Sequence, residues 1–359
     1  MQQSKDLYIF RHDDFCAAQK KLCVRRRKNL DVKILAICDT HKKYAIKLME
    51  AFSGKKQLDF QVHVFSGIEE LEQFARNQPI EILLISGSLM SEKIGTYDIG
   101  RVFLLSDGES YEGFYDYETI YKYQSAEQIL KELLCYYAEY AKPVTGIYHG
   151  KKEFEIHGVY SPIGRCGKTA LAESLAKTYG KYSKTLLLDF QSYSAHKEQL
   201  GDSSLWDLTD MIYFLRQGKK TFLYKLQSIV QSRECYDYVL PMKMPADLRS
   251  VTLAEWTELL EKLAVDSDYC KVIIDFGQDI CGLFQLLSQC TQVYMPILSD
   301  MESKLKLENL EWILAEENFK KVITSIQKIH LPGTVSGENI RRFMEEWAER
   351  SCGYDKRKR

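Results

Sequence analysis

Near the middle of the chain, the residues SPIGRCGKT (161–169) end in a glycine, a lysine and a threonine whose order suits phosphate binding. In the phosphate-cradling pattern G-x-x-x-x-G-K-[ST], backbone N–H groups surround an anion, the lysine reaches the β/γ-phosphates and the hydroxyl ligates Mg²⁺. Pro162 stands where that pattern has its first glycine. Proline removes an N–H and fixes φ, but that glycine chiefly shapes the turn. The amides that would face the β-phosphate come later, so the spacing predicts a nucleotide-phosphate site over Gly164, Arg165, Cys166, Gly167, Lys168, Thr169 and Ala170.

The flanking residues supply the context that such a loop needs. EIHGVYS (155–161) reads as a strand and ALAESLAKTYGKY (170–182) as a helix that starts directly after the lysine and threonine. A helix N-terminus favours an anion through its open N–H groups and dipole. Two further apolar strands end in acids, TLLLDF with Asp189 and KVIIDF with Asp275. An acid at the end of such a strand is where a Walker B carboxylate holds Mg²⁺. The expected cofactors are therefore ATP and Mg²⁺, with Thr169 and Asp275 on the metal. An ordinary strand-to-helix turn with a fortuitous lysine is the rival reading.

The elements that must position these residues fall into two series. VKILAIC (32–38), FQVHVF (60–65), EILLIS (81–86), RVFLLS (101–106) and TIYKY (119–123) read as strands. Amphipathic helices lie between the first three, and a helix capped by Ser125 follows the last. After KPVTGIYHGKKEF (142–154), strands recur at 155–161, 185–190, 236–241, 271–276 and 292–297, with helices such as 252–264 and 305–317 between them. Strands alternating with helices imply parallel sheets in doubly wound α/β domains. The expected division is a leader over 1–31, a first domain over 32–142, a linker over 143–154 and a second domain over 155–359.

Residues 155 to 300 resemble the MinD/ParA branch of P-loop ATPases, whose loop reads K-G-G-x-G-K-[ST]. Aligned on Gly167, Lys168 and Thr169, Ile163 falls on that family's signature lysine, Gly164 on its first glycine and Arg165 on its second. The family's D-x-D falls on Asp189-Phe190-Gln191, so its second acid is Gln191, and its D-x-P-x-G switch falls on Asp275 to Asp279 without the proline. The resemblance implies catalytic roles at Lys168, Asp189 and Gln191, with Arg165 as a substitute cation, and a homodimer formed on ATP.

The first domain resembles a response-regulator receiver, a flavodoxin-like fold. A receiver uses an acid pair after its first strand, a phosphoacceptor Asp after its third, Ser/Thr after its fourth and Lys after its fifth. Here Asp39 is followed by Thr40, Ser86 stands at the phosphoacceptor position, and Ser106 and Lys122 fit the last two. Without a carboxylate at position 86 no acyl phosphate forms, which makes this an atypical pseudo-receiver. A receiver-like domain in front of a MinD-like ATPase, over roughly residues 32 to 320, is the layout of TadZ/CpaE-type pilus assembly proteins. That resemblance implies a localisation or assembly factor of a Tad-type pilus with weak hydrolysis and pilus or secretion proteins as partners. A nucleotide-free scaffold and a ParA-like DNA-partition ATPase are the alternatives.

Composition sets the remaining bounds. Lys and Arg number 49 against 50 Asp and Glu, a formal net charge of -1 that provides no general attraction to nucleic acid. The 10 cysteines make no C-x-x-C pair, which argues against a zinc site or a disulfide scaffold. The polar opening of the chain and the lack of a long apolar run suggest a cytoplasmic protein with at most peripheral membrane contact. MPADL (244–248) reads as a loop. The helix ENIRRFMEEWAER carries a stripe of Ile340, Phe343, Met344 and Trp347, and its mixed-charge polar face favours docking on protein over a membrane surface.

Overall fold

The structure, a computed structural model, describes residues 33–53, 60–108, 111, 114, 116–140, 153–194, 206–217, 221–331 and 338–352. The leader over 1–31 lies outside the described residues, as does most of the linker over 143–154. The chain divides into two compact units, Met1–Leu104 and Leu105–Arg359, and the division falls inside a strand.

In the first series, β1 (Lys33–Cys38), β2 (Phe60–Phe65), β3 (Ile80–Ser86), β4 (Ile99–Ser106) and β5 (Glu118–Tyr121) form a sheet of order β2-β1-β3-β4-β5. This is the order of one common doubly wound sheet, and β1 pairs in parallel with both β2 and β3. The near-continuous apolar runs of β1 and β3 are buried along almost their whole length, as strands covered on both faces must be. Helices α1 (Lys42–Ser53) and α2 (Ile68–Ala75) follow β1 and β2. Between β3 and β4 stand only short 3₁₀ turns, Gly87–Leu89 and Glu92–Thr96. Helix α3 (Ala126–Tyr140) starts where the Ser125 hydroxyl accepts the Gln128 N–H, 3.1 Å away.

The second sheet has seven strands. They are β6 (Glu155–Val159), β7 (Thr185–Phe190), β8 (Gln231–Ser232), β9 (Asp237–Val239), β10 (Lys271–Phe276), β11 (Gln292–Ile297) and β12 (Ile326–His330), in the order β12-β11-β6-β10-β7-β9-β8. The pairings are parallel apart from the edge pair β8–β9. Strand β6 lies between β11 and β10, so the loop that leaves it opens at the carboxyl end of the sheet centre. Ligands of open α/β sheets bind at this end.

Helix α4 (Lys168–Gly180) follows that loop. Helices α5 (Leu208–Arg216), α6 (Phe222–Ile229), α7 (Pro245–Ser250), α8 (Leu253–Asp266), α9 (Leu283–Gln289), α10 (Met301–Glu316), α11 (Lys320–Ser325) and α12 (Glu338–Cys352) complete the unit. Both α5 and α8 begin with reciprocal capping boxes, Asp207 with Asp210 and Thr252 with Glu255. One continuous core joins β6, β7, β10 and β11 to the inward faces of these helices, with Trp256, Phe190 and Phe276 at its centre. One expectation is corrected here. Residues 245–250 form a helical turn rather than a loop, with Pro245 at its first position, where the missing N–H costs nothing.

Candidate functional site

The register of the two acid-bearing strands sets the geometry. β7 and β10 pair so that Asp189 lies directly beside Asp275, and both are buried. Their carboxyl ends stay together beyond the last paired residues. Gly277 N–H donates to Phe190 O at 3.0 Å, and a Cβ on Gly277 would stand 2.6 Å from that same oxygen. Proline at this position, as in the family's switch, would delete this N–H. Glycine permits the close approach, which brings Gln191 over the end of β10.

The Gln191 main chain is fixed by Asp189, whose Oδ1 accepts its N–H at 3.0 Å. Its side chain crosses to the loop helix. Gln191 Nε2 donates to Thr169 Oγ1 at 2.8 Å and also to Asp275 Oδ2. Thr169 Oγ1 in turn donates to Asp275 Oδ2 at 2.7 Å. Only the amide nitrogen of Gln191 can face the carboxylate, because two oxygens there would repel each other. Thr169, Gln191 and Asp275 thus close a triangle of hydrogen bonds at the foot of α4.

Thr169 and Asp275, the residues expected to hold Mg²⁺, are brought together. The arrangement does not fit the ion, however. An amide donor stands against Thr169 Oγ1 and Asp275 Oδ2, two oxygens that would face the cation, whereas Mg²⁺ demands oxygen ligands and waters in near-ideal octahedral geometry. A metal at this point would first have to displace the Gln191 amide.

The loop itself is built from unlike parts. Ser161 Oγ accepts the Ile163 N–H at 3.2 Å, and Cys166 Sγ donates to Ile163 O. Ile163, at the family's signature lysine position, is 3% exposed and belongs to the core, so it anchors the loop and projects no charge. Cys166 is buried, and burial pushes its thiol above the ordinary range, so it packs as a neutral group. Gly164 and Arg165 are exposed at the outer turn, and a Cβ on Gly164 would meet open space. Arg165 has φ +58°, in the left-handed region that glycine adopts freely and other L-residues enter only at a cost.

Gly167, with φ +80°, precedes the first helical residue, Lys168. The first-turn N–H groups of α4, at Lys168, Thr169 and Ala170, have no partner within the helix and face its N-terminal end. Lys168 Nζ lies 6.0 Å from the centre of the buried Tyr160 ring. The loop, the lysine, the threonine and Asp275 are therefore arranged as an anion-binding end of a helix next to a buried carboxylate.

Two neighbours of the site were not legible as such. Gln278 Nε2 donates to Pro162 O at 3.3 Å, joining the end of β10 to the start of the loop. Helix α12 packs along α4: Arg341 pairs with Glu173 at 2.9 Å and Lys181 with Glu349 at 2.9 Å. The apolar stripe of α12 faces the core, with Met344 fully buried and Trp347 edge-on to Tyr294. At its first turn Ile340 touches the loop, where a Cβ on Gly167 would overlap Ile340 Cγ2 and stand 3.2 Å from Met344 Cε.

The receiver-type residues sit at strand ends. Asp39 is fully buried and its Oδ1 accepts the His41 N–H at 2.7 Å. Ser86 is buried, with its hydroxyl 3.0 Å from that of Ser88. The Lys122 N–H donates to Ser106 O at 2.7 Å, and both residues are buried. Among the described residues no cluster of His, Cys, Asp and Glu is arranged to hold a metal, and no helix is long and apolar enough to cross a membrane.

No protein-family model and no curated protein matches the sequence. Solved structures do match over about half of the chain's length. A ParA family ATPase from Chlorobium tepidum TLS is 18% identical, covering 53% of this chain and 80% of its own, with a TM-score of 0.42. The MinC:MinD cell division protein complex of Aquifex aeolicus is 14% identical, covering 53% and 78%, with a TM-score of 0.38. Cobyrinic acid a,c-diamide synthase from Mycobacterium smegmatis, with bound ATP analog and magnesium, is 13% identical, covering 55% and 82%, with a TM-score of 0.40.

Proposed function

We propose that this chain binds ATP at the loop 164–170 and acts as a nucleotide-controlled localisation or assembly factor rather than as a fast ATPase. The observation that carries this reading is the junction of β6 and α4. Lys168 opens a 13-residue helix, Thr169 follows it, and Thr169 hydrogen-bonds the buried Asp275 of the neighbouring strand. Few other ligands suit a lysine and open helical N–H groups at a sheet's carboxyl end as well as a polyphosphate does.

Slow hydrolysis follows from what the site lacks. The family's signature lysine is replaced by buried Ile163, and its second acid by an amide. ATP then serves as a ligand that stabilises one association state, a homodimer in this reading. Arg165 is the exposed cation of the loop and takes over part of the phosphate contact, since a guanidinium engages phosphate oxygens in a bidentate way. The receiver-like order of the first sheet, without an acid at position 86, suits a docking module. Together with the resemblance noted in the sequence, it supports a place in Tad-type pilus assembly, on the cytoplasmic side of the membrane.

Sedimentation velocity of the full chain with and without ATP tests this. ATP is expected to raise the dimer fraction, and Arg165→Ala to reduce that effect. Association that ignores ATP, or parent turnover well above about 1 s⁻¹, the low end of ordinary enzymes, contradicts the reading. A nucleotide-free scaffold is the second reading, and the Gln191 triangle favours it, because Thr169 Oγ1 and Asp275 Oδ2 are already hydrogen-bonded to each other and to the amide.

A further inference from the structure

We propose that the Gln191 side-chain amide is a built-in replacement for the divalent cation, so that this site takes a nucleoside polyphosphate without Mg²⁺. The inference rests on the nucleotide reading above for its ligand, but its core, that the foot of α4 does not take a cation, stands on geometry alone.

A cation beside a threonine hydroxyl and a strand-end carboxylate has two tasks. It offsets the charge of the acid and holds the hydroxyl in place. Here Gln191 Nε2 does both without a charge of its own, with one N–H toward Thr169 Oγ1 and one toward Asp275 Oδ2. The two hydrogens of a primary amide diverge from one nitrogen, and that is the geometry two adjacent acceptors require. Asp275 is fully buried, and a hydrogen bond to a buried charge is among the stronger ones.

The amide is also held in position. Its main chain is pinned by Asp189, and the strand ends beneath it are held by the Gly277–Phe190 contact. An acid at 191 would instead place a third carboxylate beside Asp189 and Asp275, an arrangement that needs a cation or a proton among them. The substitution of amide for acid therefore changes what the site needs. An acid there calls for a metal or a proton; the amide takes the place of either. The phosphate charge then falls to the open N–H groups of α4, Lys168 and Arg165.

Thermal unfolding of the full chain tests the metal claim without any nucleotide. The parent melting temperature is expected to be the same in millimolar Mg²⁺ and in EDTA. Gln191→Asp is expected to melt lower in EDTA and to recover with Mg²⁺, and Asp275→Asn in that background to lose the recovery. A saturable Mg²⁺ response of the parent that disappears in Asp275→Asn overturns the proposal, as does a folded Gln191→Asp that ignores Mg²⁺. If Gln191→Asp does not fold, the parent and its Asp275→Asn variant decide alone.

With ATP as the probe, parent affinity is expected to change less than about twofold between Mg²⁺ and EDTA, and a loss of more than about tenfold in EDTA overturns the proposal. Failure of ATP to bind under either condition defeats the nucleotide reading, while the metal experiment still decides the role of Gln191.

Discussion

Gly167→Ala isolates the contact between the phosphate loop and the C-terminal helix. Two costs arise from the substitution. The backbone at φ +80° is left-handed, which costs a residue with a Cβ about 1–2 kcal/mol. The new methyl would also overlap Ile340 Cγ2 and crowd Met344 Cε, and overpacking of this kind costs about 1–3 kcal/mol. The sum is about 2–5 kcal/mol. Ile340→Ala alone removes a half-buried side chain and should cost about 1–2 kcal/mol. In the double variant the overlap with Ile340 Cγ2 disappears, while the backbone cost and the milder crowding of Met344 Cε remain. The two changes should then fall short of additivity by about 1–3 kcal/mol. All four tryptophans, at 206, 256, 312 and 347, lie beyond Leu105, so fluorescence during urea unfolding reports the second unit alone. Additivity within about 0.5 kcal/mol would refute the docking of α12 on the loop.

Three further outcomes are expected. Arg165→Gly should relieve a left-handed strain of about 1–2 kcal/mol against a glycine entropy cost of about 0.5–1 kcal/mol, leaving the unit up to about 1.5 kcal/mol more stable while ATP-dependent association weakens. Loss of stability in urea unfolding would contradict this. His157 is held neutral in the fold because burial, and then the nearby Lys271 charge, lower its pKa from 6.5 to about 4, against the opposing pull of Glu155. Since the unfolded chain takes up the proton first, stability should fall by up to ~3 kcal/mol as pH drops from 6.5 to about 4. His157→Phe should flatten that slope, and an unchanged slope would remove His157 as its cause. Acetyl phosphate should leave no acid-labile acyl phosphate on residues 32–142, because position 86 carries a buried hydroxyl; mass spectrometry that finds one would defeat the pseudo-receiver reading.

The strands of both sheets were legible wherever an apolar run is continuous. TLLLDF, KVIIDF and QVYMPI coincide with β7, β10 and β11, because strands buried on both faces leave few polar positions to blur their ends. Strand β12, IQKIH, escaped because it forms an edge, with Ile329 buried and exposed Gln327, Lys328 and His330 around it. The α4 loop was legible from residue order alone. The Gln191 triangle was not, since its members lie 22, 84 and 106 residues apart in sequence and only the β7–β10 register brings them together. The stripe on the last helix was visible as a stripe. What it covers depends on α4, whose contacts with it through Glu173 and just beyond its end through Lys181 carry no periodic signal for a partner.

The most direct test of the central claim is an equilibrium titration of the full chain with ATP by calorimetry, run in parallel on Lys168→Ala. A charge-assisted phosphate contact is worth roughly 1.5–3 kcal/mol, so the parent should bind about ten- to a hundredfold more tightly than the variant. Equal binding by the two proteins, or none by the parent, would contradict the assignment of 164–170 as a nucleotide site.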